Sequence, residues 1–380
     1  MLYFILEQQF GGIYMIKIIH TGDLHIGVQF KNTSFDGIQS KKRRIELWET
    51  FERILKRADE NKPDFLIISG DLFEEDYFTM GDIKRIRDGF NSIKGVNVVI
   101  SAGNHDPLDE KSLYNLIQWP ENVYIFHNEK LEKKEFNSLN TVIWGYSWKE
   151  KEEKKRLFDD LDNIDKDKIN VLVLHGDILN KDSPYMPLDM GEIESLGFDY
   201  VALGHIHKPQ FLKDRISYCG SPEPLDFGET GIHGIVEGEI EKGRVSLKLI
   251  PFSKRIFVNK EIDVSHIAGF SDVIQAIKNI DDENSRRKNF YRLTLKGIMD
   301  RDINLDLEEI KEILKDEFYH IEIINCTTPD YDLDKLLKEN NNNIIGIFIK
   351  EMMKKGLEDP IVKDGLYLGL KILLKEKMGE

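Results

Sequence analysis

Five short segments hold most of the residues that could do chemistry: Gly22-Asp23-Leu24-His25, Gly70-Asp71, Gly103-Asn104-His105-Asp106, His175-Gly176-Asp177 and Gly204-His205-Ile206-His207. Aspartate, asparagine and histidine supply the oxygen and imidazole donors that divalent cations take, and glycine, lacking Cβ, permits the tight turns that bring such donors together. A lone histidine at a strand end is more often a hydrogen-bonded core or rim residue than a ligand. Here five of the chain's ten histidines fall in these segments, and burying so many polar groups without a cation would be costly. The pattern points to one shared metal site. His20, His127, His233, His266 and His320 lack that context and read as structural. With only two cysteines, Cys219 and Cys326, the chain can build neither a disulfide framework nor a thiolate site. An oxygen and imidazole donor set favours Mn²⁺, with Fe, Co and Zn also compatible.

Each segment follows a short apolar run that reads as a strand: residues 16–20, 65–69, 96–101, 170–175 and 199–203, with a further strand at 141–145. These runs alternate with stretches of helical length, the rhythm of βαβ units around a buried sheet. Carboxyl ends of strands are where open α/β sheets place their ligands, so five such loops can meet in one crevice. A helix over 38–60 presents Ile45, Trp48, Phe51, Ile54 and Leu55 at helical spacing, and 234–250 alternates in the β manner. Residues 1–14, ahead of Met15, read either as a non-native extension from a misassigned start or as an extra edge strand. After Pro251 the pattern restarts as strand 255–263, helix 271–280, strand 289–296, helix 305–316 and strand 319–326. Asn340 to Asn343 interrupt a helix-rich tail, and Asp359-Pro360 starts its last helix, with Leu366, Leu370, Leu373 and Leu374 on one face.

The 380 residues are 41% hydrophobic, enough for two or three packed domains and too much for a disordered chain. No run approaches the roughly 20 apolar residues of a membrane span, and the start lacks a basic leader, so a cytoplasmic protein is expected. A formal charge of −15 argues against coating nucleic acid by bulk charge. It leaves room for local contacts, for which Lys41, Lys42, Arg43 and Arg44 are the candidate DNA-contacting run; a solvated helix start is the plainer reading.

Taken in order, Asp-x-His, Gly-Asp, Gly-Asn-His-Asp, His-Gly-Asp and Gly-His-x-His resemble the signature of calcineurin-like metallophosphoesterases. The resemblance implies an α/β fold, a four-layer αββα sandwich of two packed sheets flanked by helices, and two divalent metals per subunit. By motif, Asp23, His25 and His207 would hold one ion and Asn104, His175 and His205 the other, with Asp71 bridging. His105 would be catalytic, stabilising or protonating phosphate oxygens without binding metal. Asp106 and Asp177 would cap turns or orient histidines.

The opening Ile-His-Thr-Gly-Asp-Leu-His-Ile-Gly, the segment Ser-Gly-Asp-Leu-Phe, and residues 218–229 with Gly220-Ser221-Pro222 are similar to one branch. That branch is the DNA double-strand-break repair nucleases of the meiotic-recombination-eleven type, also called SbcD-like. The resemblance implies a nuclease domain over 15–250, a small α+β capping domain over 251–328 and a helical tail over 329–380. It further implies two Mn²⁺ per subunit, 3′-to-5′ double-strand exonuclease and single-strand endonuclease activity, and a homodimer formed through helices near 80–93 and 108–118. An SMC-like ATPase of the radiation-sensitive-fifty type would dock on the tail, whose Ile344, Ile345, Ile347, Phe348 and Met352 could equally pack on the chain itself. Many members carry a histidine three residues after the bridging aspartate. This chain has Glu74, which could lie near the phosphate but cannot donate a proton unless its pKa is raised, leaving His105 to act alone. Small-molecule phosphatases and cyclic phosphodiesterases use the same metals, and a scaffold with a decayed site is a third reading.

Overall fold

A computed structural model describes residues 14–31, 35–159, 161, 164–265, 267–300, 303 and 305–378. The proposed extension before Met15, save Tyr14, and His266 lie outside the described residues. Strand β1 (Met15–Thr21) pairs in parallel with β2 (Phe65–Ile68), β2 with β3 (Asn97–Ile100), and β3 with β4 (Val123–Ile125). On its other side β1 pairs antiparallel with β11 (Gly234–Glu241), which forms a hairpin with β12 (Arg244–Pro251). The second sheet contains β5 (Glu132–Phe136), β6 (Thr141–Gly145), β7 (Ile169–His175), β8 (Tyr200–Gly204), β9 (Gln210–Lys213) and β10 (Ile216–Tyr218), in the order β5-β6-β7-β8-β10-β9. The run β6-β7-β8-β10 is parallel and both edges are antiparallel.

The central strands read as unbroken apolar runs because both of their faces are covered. Ile16, Ile18, Phe65, Ile67 and Val99 of the first sheet meet Ile143, Val171, Val173, Tyr200 and Ala202 of the second in an inter-sheet core. The alternate residues Ile19, Leu66, Ile68, Val98 and Ile100 turn outward onto helices α1 (Gly37–Asn61) and α2 (Met80–Ser92). Val142, Trp144, Leu172, Leu174, Val201 and Leu203 turn outward on the other side, beneath α3 (Met190–Leu196) and the chain around it. This is the four-layer αββα sandwich.

Helix α1 starts at Asp36, whose carboxylate accepts from Gln39 N at 2.7 Å, and stops at Lys62 in the left-handed region. It buries Leu47, Phe51, Ile54, Leu55 and Ala58, whereas Ile45 is exposed. The apolar stripe therefore runs through Leu47, two residues on from the position expected. The segment 108–118 forms only a 3₁₀ turn, Leu113–Leu116, so the second expected dimer helix does not exist. Leu108 N donates to Trp148 O at 2.7 Å and Tyr114 O accepts from Trp119 Nε1 at 2.9 Å, so both backbone groups are engaged outside a helical ladder.

The described chain divides into two compact units, the first ending at Ile256 and the second beginning at Phe257. Residues 252–255, expected to open the second domain, bond to the first: Phe252 N to His233 O at 2.9 Å, Lys254 N to Glu223 at 2.7 Å and Arg255 Nε to Glu46 at 2.8 Å. In the second unit β13 (Phe257–Asp263), β14 (Phe290–Asp300) and β15 (His320–Asp330) form a wholly parallel sheet. Its connections carry α4 (Phe270–Lys278), α5 (Glu283–Lys288) and α6 (Leu307–Leu314), and Val273, Ile277, Ile310 and Leu314 pack onto Tyr291, Leu293 and Leu295. The tail folds as α7 (Leu333–Glu339), α8 (Ile344–Lys355) and α9 (Pro360–Met378). These helices share a core of Tyr331, Leu336, Ile345, Ile349, Leu366 and Leu370. Asn343 caps α8 and Asp359 accepts from Ile361 N at 2.9 Å at the start of α9. Among the described residues no helix is long and apolar enough to cross a membrane.

Candidate metal centre

The loops after β1, β2, β3, β7 and β8 converge, drawing on both sheets. Asp23, His25 and Asp71 sit in the left-handed region with φ of 48°, 46° and 51°, and His205 has φ 99°. Such backbones cost on the order of 1–3 kcal/mol each and persist only where neighbours hold them. Here Asp23 N donates to Gly70 O at 2.9 Å and His25 N to Asp71 O at 3.0 Å. Asp106 pins the Asp71 loop, accepting from Asp71 N at 3.1 Å, Leu72 N at 2.8 Å, Gly103 N at 2.7 Å and Tyr114 Oη at 2.7 Å. Asp177 caps its own turn, accepting from Leu179 N at 2.9 Å and Asn180 N at 3.0 Å. A Cβ on Gly103 would stand 2.3 Å from Asp71 Oδ1, so only glycine lets this loop approach.

The histidines are oriented from behind. His175 Nδ1 donates to Ser69 O at 2.9 Å, His25 Nδ1 to Glu74 Oε1 at 2.7 Å and His207 Nδ1 to Glu229 Oε1 at 2.6 Å. With Nδ1 carrying the proton, each Nε2 has a free lone pair whenever the ring is neutral. Those lone pairs face other acceptors. His25 Nε2 lies 3.0 Å from His207 Nε2 and 3.6 Å from Asp71 Oδ2, while His175 Nε2 lies 3.3 Å from Asp71 Oδ2 and 3.0 Å from Asn104 Oδ1. Acceptors converging at these separations, with His25, His175 and Asp71 almost unexposed, fit a cation between them. Three groups have donor atoms within 4.8 Å of one another: Asp23, His25 and His207; Asp23, Asp71 and His175; and His25, Asp71 and His105. The first is the triad expected for one ion. Asp71 Oδ2 is the atom near both His25 and His175, where a bridging carboxylate should stand.

The electrostatics report the same crowding. Burial opposes the charge on Asp71, yet His175 and His25 hold its carboxyl well below the usual range. Burial likewise opposes the imidazolium of His207, but Glu229 pushes it up to about 10. His175 rises to about 9 against burial, through Asp71. His205 falls to about 4 through burial and the neighbouring His175. Glu74 falls to about 2 despite burial, because His105 and His25 both bond to it. A carboxylate held down beside imidazoles held up marks a site of concentrated charge.

Most of the expected residues therefore meet, with two qualifications. The His205 ring packs 5.3 Å from His175 and 5.0 Å from Tyr185, and its backbone N–H donates to Asp23 at 2.9 Å, but it joins none of the three groups. His105 has a side chain 43% exposed, and its Nδ1 is paired with Glu74 Oε2 at 3.0 Å. Glu74 is an ionised carboxylate serving two histidines. Arg43 is not a DNA contact: it is fully buried, bonded to Glu46, Glu223 and Pro224 O. Lys41 and Lys42 are exposed and Arg44 half-buried. His20 is structural, held between Tyr200 Oη at 2.7 Å and Ser69 Oγ at 2.9 Å. Glu229 has a role that residue type alone did not reveal; its place in the 218–229 segment was the available signal.

Residues 16–209 match the calcineurin-like phosphoesterase family, and the chain belongs to it. It is a metallophosphoesterase, a hydrolase of phosphate esters. It is 24% identical over 276 residues, 70% of this chain and 67% of the relative, to the uncharacterized metallophosphoesterase YhaO of Bacillus subtilis (strain 168). Among solved structures, TT1561 of Thermus thermophilus aligns at 11% identity and TM-score 0.37, covering 63% of this chain and 99% of that one. Purple acid phosphatase PPD1 from yellow lupin (Lupinus luteus) aligns at 11% identity and TM-score 0.31, covering 63% of this chain and 46% of that one.

Proposed function

We propose that the protein is a manganese-dependent DNA nuclease that processes DNA ends, acting 3′-to-5′ on double strands and endonucleolytically on single strands. The observation that carries the phosphodiester chemistry is the set of facing acceptors at His25, His207, Asp71, His175 and Asn104. Asp23, His25 and His207 would hold one Mn²⁺, and Asn104 and His175, adjoined by His205, the other, with Asp71 shared. Two such ions, when bound, polarise a phosphoryl oxygen, lower the pKa of water and stabilise a leaving oxygen.

The chain's own groups do the rest. Glu74 and Glu229 keep His25 and His207 in the tautomer that presents Nε2. Glu74 also raises the His105 imidazole against burial, which favours the protonated form of this half-exposed ring. It can donate a hydrogen bond to a phosphate oxygen or a proton to the leaving group. The DNA reading is supported by the likeness of the β1 and β2 loops and of residues 218–229 to end-processing nucleases, and by a second unit beyond the catalytic one. Lys41 and Lys42 offer exposed charge for phosphates. Homodimerisation and docking of an SMC-like ATPase belong to the same reading. Ile344 and Ile347 on α8 and Ile361, Leu368 and Ile372 on α9 remain exposed and could receive such a partner.

Incubation with Mn²⁺ and either end-labelled linear DNA or small phosphate esters tests this. DNA degradation is expected. Ester turnover without DNA cleavage would replace the nuclease with a small-molecule phosphatase or cyclic phosphodiesterase.

A further inference from the structure

The buried Arg43 poses a problem that the nuclease reading does not solve. Its guanidinium is fully enclosed, donating through Nη1 to Glu46 Oε2 at 2.6 Å and Glu223 Oε2 at 3.3 Å, and through Nη2 to Pro224 O at 2.8 Å. Glu223 is equally enclosed, and its Oε1 accepts from Thr50 Oγ1 at 2.7 Å, Lys254 N at 2.7 Å and Arg53 at 3.2 Å. Taking such charges out of water is costly, and well-packed apolar side chains would often be at least as stable. A buried pair is thus a poor stability device. What a planar guanidinium does better is fix geometry, because its fork holds two acceptors at set angles.

The segment so fixed leads to the metal centre. The residue after Pro224 is Leu225, whose N–H donates to Glu229 Oε2 at 2.9 Å; Ser221 Oγ donates to the same oxygen at 3.0 Å. The other oxygen, Oε1, receives His207 Nδ1 at 2.6 Å. Ser221 N donates to His207 O at 2.9 Å, and Gly220, at φ 69°, has no room for a Cβ, which would stand 2.6 Å from His207 O. A continuous chain of hydrogen bonds therefore runs from α1 through Pro224, Leu225 and Glu229 to the ring that faces His25.

We propose that Arg43 is a positioning residue for the metal centre: by clamping Glu223 and Pro224 it holds Leu225 N and Glu229 where His207 must present Nε2. The proposal rests on the reading of His207 as a ligand.

Calorimetric titration with Mn²⁺ alone tests it on the full chain and four variants. Arg43→Lys keeps the charge opposite Glu223 and Glu46 but cannot span Glu223 and Pro224 O, and is expected to weaken Mn²⁺ binding about tenfold, the low end for partners behind a ligand. Glu229→Gln should weaken it about 10- to 100-fold, and Arg43→Lys added to it should cost nothing further. Arg57→Met, which removes the pair with Glu237 between α1 and β11, should lower the melting temperature and leave Mn²⁺ affinity unchanged. If Arg43→Lys fails to fold, Glu223→Gln must show a loss in the same direction that Glu229→Gln abolishes. Unchanged affinity in Arg43→Lys, an equal loss in Arg57→Met, or additive losses in the double variant would overturn the proposal. Failure of the unaltered chain to bind Mn²⁺ would instead overturn the metal centre itself, and the clamp with it.

Discussion

Replacing Glu74 by glutamine separates two roles that one carboxylate now fills. Oε1 accepts from His25 Nδ1 at 2.7 Å and Oε2 from His105 Nδ1 at 3.0 Å. An amide has one acceptor and one donor, so it can serve only one histidine and presents N–H to the other. The His25 side chain is 2% exposed and His105 43%, so the carbonyl should stay with His25, where an unmet donor costs most, and His105 should lose its partner. A hydrogen bond to a charged group contributes about 1.5–3 kcal/mol, and solvent at His105 discounts the lower figure. The expected result is a loss in kcat/KM of roughly tenfold, a Mn²⁺ affinity changed by less than about tenfold, and an alkaline limb of the pH–rate profile moved to lower pH. The sign follows from the pairing: Glu74 raises His105, so removing its charge lets the acid form be lost earlier as pH rises. DNA cleavage rates across pH, with parallel Mn²⁺ titrations, decide the matter. An unmoved alkaline limb with Mn²⁺ binding abolished would make Glu74 a ligand and refute the reasoning.

Replacing His105 by alanine should leave Mn²⁺ binding nearly intact and lower cleavage about 10²–10⁴-fold; loss of Mn²⁺ in calorimetry would make His105 a ligand, as its closeness to His25 and Asp71 allows. His20 is buried neutral, with burial pushing its pKa down to about 3, while the unfolded imidazole titrates near 6.5. Below pH 6.5 the unfolded chain binds a proton that the folded one refuses, so stability falls as pH drops from 6.5 toward 3, by about 2 kcal/mol at pH 5. His20→Asn should flatten that part of the pH dependence in denaturant melts; an identical acid slope would refute it. Truncation after residue 330 should spare Mn²⁺-dependent cleavage and abolish ATPase co-purification, and undiminished co-purification would place docking elsewhere.

The five ligand loops were legible because each pairs a strand-length apolar run with glycine and donor residues, a local pattern that the sheets then bring together. The carboxylates behind the histidines were not, because their partners are remote in sequence: Glu74 meets His25 across 49 positions and Glu229 meets His207 across 22. A carboxylate in a loop carries no mark of which imidazole it will face. The basic run on α1 misled for a related reason. Consecutive charges look solvated, but a 3.6-residue period turns one of them inward, and Arg43 shares its face with Leu47 and Thr50, both buried. The same phase explains why Ile45 is exposed. The edge strands β5 and β9 were missed because their alternating polar residues lack the apolar continuity of the central strands.

Counting manganese in crystals by anomalous scattering at its absorption edge tests the central claim most directly. Two ions per chain are expected, one among Asp23, His25 and His207 and one beside Asn104 and His175, both weakened by Asp71→Asn. A single ion, or ions bound away from these loops, would contradict it.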